Sequence, residues 1–90
     1  METVARSVVV HGRVQGVFFR DSCRQQARGL GVAGWVRNEP DGSVRVHVEG
    51  EPEAVASLVR WLHEGPPFAQ VRRVDVNDAG PTGATGFEVR

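Results

Sequence analysis

Residues 7–30 have the sequence SVVVHGRVQGVFFRDSCRQQARGL, in which the spacing of apolar residues changes from that of a strand to that of a helix. Residues 7–11 are β-branched in character and end at Gly12, which predicts a short buried strand. The two glycines in residues 12–16 predict a tight loop with exposed backbone N–H groups. A helix over residues 19–30, capped by Gly31, is predicted because apolar residues share one helical face at Phe19, Cys23, Ala27 and Leu30.

A β-hairpin is predicted after this first unit. An apolar run over residues 32–37 predicts the second strand, and the turn-rich residues 38–42 follow it. In residues 44–49, valines alternate with polar residues, which predicts a third strand with one buried and one exposed face. The polar side chains expected on the exposed face are Arg45, His47 and Glu49.

The last part of the chain predicts a helix followed by strands. Residues 52–62 start with a proline and carry one apolar face, which is typical of an amphipathic helix. Residues 71–77 predict a fourth strand, in which the adjacent Arg72 and Arg73 indicate a bulge. Residues 87–90 can add a short edge strand.

The order β-α-β-β-α-β predicts a ferredoxin-like α+β sandwich. Right-handed crossovers place both helices on one face of an antiparallel sheet of four or five strands. With 90 residues, the chain is expected to form a single domain over residues 1–90. This fold carries many functions, so the function has to be argued from particular residues.

The composition argues against several classes of function. The 11 basic residues, all of them Arg, balance 11 acidic residues, so no overall positive field favours nucleic acid or an anionic membrane. Cys23 is the single cysteine, and His11, His47 and His63 have no ligand spacing and are expected at exposed positions. We therefore expect no internal disulfide and no metal site at these residues. With no leader-like segment and no evident apolar patch, a cytoplasmic monomer is expected.

The loop at residues 12–16 and Arg20 form a candidate anion site. Amides of the loop and of the helix start can converge on one point, where the helix dipole favours negative charge. Arg20 opposes that dipole and lies four residues before Arg24, a conflict that a bound phosphate would remove. The alternatives are a plain tight turn and a surface pair of Arg20 with Asp21 or Glu39.

Asn38 stands at the end of the second predicted strand. One interpretation is a turn residue that bonds to its own backbone. The other assumes that strands one and three are parallel central neighbours and that strand two pairs with strand three. The end of strand two and the start of helix one then lie at the same edge, where the neutral amide of Asn38 can orient a water molecule.

Two segments resemble the sequence signatures of acylphosphatases. Residues 10–20, VHGRVQGVFFR, match an aliphatic residue followed by x-G-x-V-Q-G-V-x-F-R at every specified position. Residues 34–44, GWVRNEPDGSV, match a second signature that consists of a glycine, an aromatic residue, an asparagine and Gly-x-Val, with a later glycine at Gly50. The resemblance extends over nearly the whole chain.

The resemblance implies an enzyme that hydrolyses the carboxyl–phosphate bond of small acyl phosphates without a metal or cofactor. It implies that Arg20 binds the phosphate and that Asn38 orients the attacking water. It also implies a phosphate-binding loop made of Val14, Gln15, Gly16, Val17, Phe18 and Phe19.

Two other functions are compatible with the same order of elements. An RNA-recognition domain would carry aromatic residues on strands one and three, whereas these strands contain VVVHG and VRVHV. A regulatory ligand-binding domain, which would bind phosphate without turnover, is the stronger alternative.

Overall fold

Two α-helices and five β-strands make up the fold in a computed structural model that describes residues 2–90. The strands are β1 (Val4–Arg13), β2 (Ala33–Asn38), β3 (Val44–Gly50), β4 (Gln70–Ala79) and β5 (Phe87–Val89), and the helices are α1 (Phe19–Leu30) and α2 (Pro52–Leu62). Both helices lie where the sequence predicts them. β1 and β4 are longer than predicted because they pair with each other from one end to the other.

The strands form one sheet in the order β4-β1-β3-β2-β5. Both helices pack on the same face of this sheet, which confirms the predicted ferredoxin-like α+β sandwich. β5, however, runs parallel to β2, so the prediction of a fully antiparallel sheet is wrong at this edge. The reason is the path of the chain. The last residues of β4 lie level with the first residues of β2, and residues 80–86 cross the sheet at this level. β5 therefore starts beside the beginning of β2.

The pairing of β1 with β3 also differs from the parallel arrangement assumed for the candidate site. The two strands are antiparallel, with Val10 opposite Val44. β2 is antiparallel to β3 in turn. Because each is antiparallel to β3, β1 and β2 run in the same direction and end on the same side of the sheet. The start of α1, which follows β1, therefore lies near the end of β2.

The core lies between the helices and one face of the sheet. The central strands contribute Val8, Val10, Val44, Val46 and Val48, all fully buried. The helices contribute Phe19, Cys23, Ala27, Val55, Leu58 and Leu62. Burying one of the larger of these side chains contributes roughly 1.5–3 kcal/mol. Because the first residue of α1 is part of this core, the preceding loop is held firmly against the sheet.

A bulge opposite the end of β1 prepares the chain for the loop. The register of β1 against β4 shifts between His11 and Gly12, which leaves Arg72 as the extra residue and confirms the predicted bulge. Gly12 has a φ of 130°, and a Cβ there would lie 2.1 Å from the carbonyl oxygen of Gln70. Only glycine fits at this position.

The connection between β4 and β5 covers part of the face of the sheet opposite the helices. Glu49, 3 % exposed, accepts hydrogen bonds of 2.8–3.2 Å from the amides of Thr82, Gly83 and Ala84. It also accepts one from the Thr82 hydroxyl and pairs with His47 Nε2 at 2.5 Å.

This connection explains why one prediction about β3 is wrong. His47 and Glu49 were expected on an exposed face, but both are buried because residues 80–86 lie over the end of β3. Burial alone would raise the pKa of Glu49. The hydrogen bonds from His47 and from Thr82 and Ala84 outweigh that effect and lower the pKa to about 2.

Candidate active site

The loop between β1 and α1 is fixed by its own apolar side chains. Val14 and Val17 are buried, and Phe19 follows them into the core. Between these anchors, Gly16 (φ 74°) and Phe18 (φ 63°) adopt left-handed backbone conformations. For a residue with a side chain this conformation costs about 1–2 kcal/mol. Packing of its neighbours therefore holds Phe18 in a conformation that an isolated chain would avoid.

Gln15 ties this loop to the turn between β2 and β3. Its Nε2 donates to the carbonyl oxygen of Glu39 at 2.8 Å and to that of Ser43 at 2.9 Å. The side chain thus links the loop to the end of β2 instead of lining the cleft described below. Only the backbone amide of Gln15 is available to a ligand.

The backbone amides of the loop form a potential anion-binding cradle. The N–H groups of residues 15–18 donate to no backbone carbonyl among residues 2–90. The first amides of α1 lack intrahelical partners, and no side chain in the described part of the chain caps the helix at Phe18. Unpaired amides in a turn with left-handed residues make a concave site for anions, and the positive end of the α1 dipole adds to it.

Arg20 and Asn38 line the same cleft, although one comes from α1 and the other from the end of β2. The cleft has a volume of about 400 Å³. Four of the six residues in the predicted phosphate-binding loop also line it, and Gln15 and Val17 do not. The remaining lining residues are Val14, Gly16, Phe18, Phe19, Asp21, Arg24 and Val89.

Arg20 pairs with no Asp or Glu side chain among residues 2–90. Its Nη1 donates to the backbone carbonyl oxygen of Arg90 at 3.2 Å. Asp21 pairs with Arg24 at 2.7 Å instead, and the surface pairs considered for Arg20 are therefore wrong. Glu39 pairs with the guanidinium groups of Arg37 and Arg45, and these two groups lower the pKa of its carboxyl. No Asp or Glu side chain among residues 2–90 therefore neutralises the positive charge of Arg20 in the cleft.

Asn38 does not hold the turn that follows it. Its side chain makes no hydrogen bond with the residues that the structure describes, 2–90. The turn is closed by Glu39 N–H donating to the Ser43 carbonyl at 2.8 Å and by Asp41, whose Oδ1 accepts from the Ser43 amide and hydroxyl. The structure thus gives no support to a turn-capping role, and the Asn38 amide is available to a molecule in the cleft.

β5 and the residue after it contribute two features of the cleft that the sequence did not indicate. Val89 lines the cleft, and the main-chain oxygen of Arg90 accepts a hydrogen bond from Arg20. No local signal marks these residues, because they reach the site only through the parallel pairing of β5 with β2.

The described part of the chain, residues 2–90, contains no group of three or more His, Cys, Asp or Glu side chains arranged to hold a metal ion. Within the same residues, neither helix is long and apolar enough to cross a membrane.

Comparisons with known proteins place this site in a family context. The family model described as acylphosphatase matches residues 6–89. An acylphosphatase from Rubrobacter xylanophilus is 62 % identical over 84 residues, covering 92 % of this chain and 76 % of the relative. One from Thermococcus kodakarensis is 52 % identical over 89 residues, covering 99 % of this chain and 98 % of the relative. The solved structure of an acylphosphatase from Coxiella burnetii has a TM-score of 0.94 at 40 % identity, covering 98 % of this chain and 93 % of that one. The matched region includes the loop, α1 and the end of β2.

Proposed function

The chain belongs to the acylphosphatase family, and we propose that Arg20 and the loop amides bind the phosphate of its substrate while Asn38 orients the attacking water. The reaction is hydrolysis of the carboxyl–phosphate bond of small acyl phosphates to a carboxylate and inorganic phosphate. The single observation that carries the assignment of roles is the cleft in which the loop, Asn38 and an Arg20 that no Asp or Glu side chain among residues 2–90 neutralises meet.

Phosphate binding follows from the electrostatics of the cleft. The amides of the loop formed by Val14, Gln15, Gly16, Val17, Phe18 and Phe19 donate to the phosphate oxygens at the positive end of the α1 dipole. Arg20 adds a full positive charge and planar, bidentate hydrogen bonding. Because these donors are fixed by the buried anchors of the loop, they need little rearrangement as charge develops in the transition state.

The hydrolysis step needs positioning more than proton transfer. Asn38 accepts a hydrogen bond from the water and so directs its oxygen toward phosphorus. The new P–O bond forms as the bond to the carboxylate oxygen breaks, and the carboxylate leaves with the bonding electrons. One proton of the water stays on the new hydroxyl group, and the other passes to a phosphate oxygen. The departing carboxylate needs no proton, because it is a good leaving group.

The histidines support a mechanism without a side-chain base. His11 pairs with Asp75 at 3.1 Å, and the two lie on the face of the sheet away from the helices. His47 is buried against Glu49, and His63 binds the Val59 carbonyl on α2. None of the three lines the cleft that contains Arg20.

We also propose that the protein acts as a cytoplasmic monomer. The residues to which we give roles, Arg20, Asn38 and the loop, line one cleft and belong to the same chain. The lone, buried Cys23 suits a reducing compartment. Light scattering at catalytic and at high protein concentrations tests the monomer, which a stable dimer mass would contradict.

The proposed function is tested by phosphate release from acetyl phosphate. The purified protein should hydrolyse it with saturation kinetics, and inorganic phosphate should inhibit competitively. Treatment with EDTA should leave the rate unchanged. p-Nitrophenyl phosphate should be hydrolysed far more slowly, because phenolate is a poorer leaving group than carboxylate.

Two outcomes would overturn the proposal. Binding of phosphate without turnover of any acyl phosphate would favour the regulatory ligand-binding domain. Loss of activity with EDTA and recovery with a divalent cation would show that a metal takes part in the reaction.

A further inference from the structure

Phe18 is an unusual residue at its position. It has a φ of 63° and is the only non-glycine residue with positive φ among residues 2–90. Its side chain is 74 % exposed, so packing in the core does not explain the aromatic ring. Glycine would adopt this backbone conformation without strain. A strained, exposed aromatic residue beside a cleft points to a role in contact with a ligand.

The position of Phe18 identifies the part of the ligand that it would contact. Four large apolar residues are exposed within residues 2–90, and two of them, Phe18 and Val89, line the cleft of Arg20 and Asn38. The phosphate end of a substrate is satisfied by the loop amides and by Arg20. Beyond its carbonyl group the acyl end of a small acyl phosphate is apolar, and the exposed large apolar side chains at the cleft are those of Phe18 and Val89.

We propose that Phe18 is a specificity-determining residue that contacts the acyl group and favours aromatic over small acyl phosphates. The proposal rests on the proposed function, because it concerns the same cleft. An aromatic acyl group can stack on the exposed ring and shield apolar surface from water, whereas an acetyl group covers little of it. Val89 supplies further apolar surface for the same group.

The test compares kcat/KM for benzoyl phosphate and acetyl phosphate in each variant. In Phe18→Ala, the ratio of the two values should fall about 3- to 10-fold, the size expected for loss of one aromatic pair. Phe18→Tyr, which keeps the ring, should retain the ratio. Phe68→Ala is a matched control, since Phe68 is equally exposed at 73 % but does not line the cleft. Its ratio should equal that of the wild type.

The outcomes separate this inference from the proposed function. A ratio in Phe18→Ala within a factor of about 1.5 of the wild type would overturn the specificity role. So would an equal loss for both substrates with weaker inhibition by inorganic phosphate, because Phe18 would then only shape the phosphate loop. If the wild type hydrolyses neither compound, the proposed function itself fails and this inference falls with it.

Discussion

Glu49→Gln should destabilise the protein through the connection that leads to β5. The Glu49 carboxylate accepts hydrogen bonds from three consecutive amides, Thr82 to Ala84, from the Thr82 hydroxyl and from His47. Glutamine has nearly the same size, but it carries no charge and directs an NH₂ group toward some of these donors. The substitution therefore removes charge-assisted hydrogen bonds without creating a cavity.

The magnitude and its pH dependence follow from the pKa of Glu49. The carboxyl titrates at about 2 in the folded protein against an ordinary value of 4.5, a difference that corresponds to about 3 kcal/mol. Because the folded-state pKa is the lower one, this stabilisation is complete above pH 4.5 and is lost as the pH falls toward 2. The variant should lose about 2–3 kcal/mol at pH 7 and approach the wild type near pH 2.

Urea unfolding followed by circular dichroism at pH 7 and at about pH 2.5 measures this difference. Glu88→Gln serves as the matched control, because Glu88 is exposed and, within residues 2–90, pairs only with Arg90 at 3.1 Å. The control should change the free energy of unfolding by less than about 1 kcal/mol. If Glu49→Gln at pH 7 matches the control, or if its deficit is the same at both pH values, the reasoning about Glu49 is refuted.

Two further predictions concern the backbone and the core. Gly12→Ala should lower the free energy of unfolding by at least about 2 kcal/mol, since its Cβ would overlap the carbonyl oxygen of Gln70 at 2.1 Å. Gly16→Ala, with nothing within 4 Å of the added Cβ and a φ of 74°, should lose only about 1 kcal/mol; equal losses in urea unfolding would contradict this. Burial raises the pKa of Cys23 to about 12, so its thiol should react with a thiol reagent only after unfolding. Rapid labelling of the native protein would contradict that expectation.

The helices and most strands could be predicted because their signals are local. The spacing of Phe19, Cys23 and Ala27 identifies α1, and alternation identifies β3. The adjacent Arg72 and Arg73 indicated the bulge, which the register of β1 against β4 confirms.

The parts that could not be predicted depend on contacts between distant segments. The direction of β5 is set by residues 80–86, which cross the sheet at the level where β2 begins, and this path has no local sequence signal. The burial of His47 and Glu49 depends on the same connection, since alternation along β3 cannot show what covers its second face.

The candidate site was accessible from the sequence for a different reason. Arg20 violates the local rule for a helix start, and a violated rule indicates that something else stabilises the position. Asn38 was ambiguous from sequence alone, and only the structure shows that Asp41 holds the turn in its place. The contribution of Val89 to the cleft had no sequence signal at all.

The central prediction is that Arg20 binds the phosphate whereas Asn38 orients the water, and one paired measurement tests it. Turnover of acetyl phosphate and calorimetric binding of inorganic phosphate are compared in Arg20→Gln and Asn38→Ala, with urea unfolding to verify that both variants fold. Arg20→Gln should lose affinity for phosphate together with about 100-fold or more in kcat/KM. Asn38→Ala should lose a similar factor in turnover while binding phosphate within a few-fold of the wild type. Loss of phosphate binding in Asn38→Ala, or normal turnover in both variants, would contradict the account.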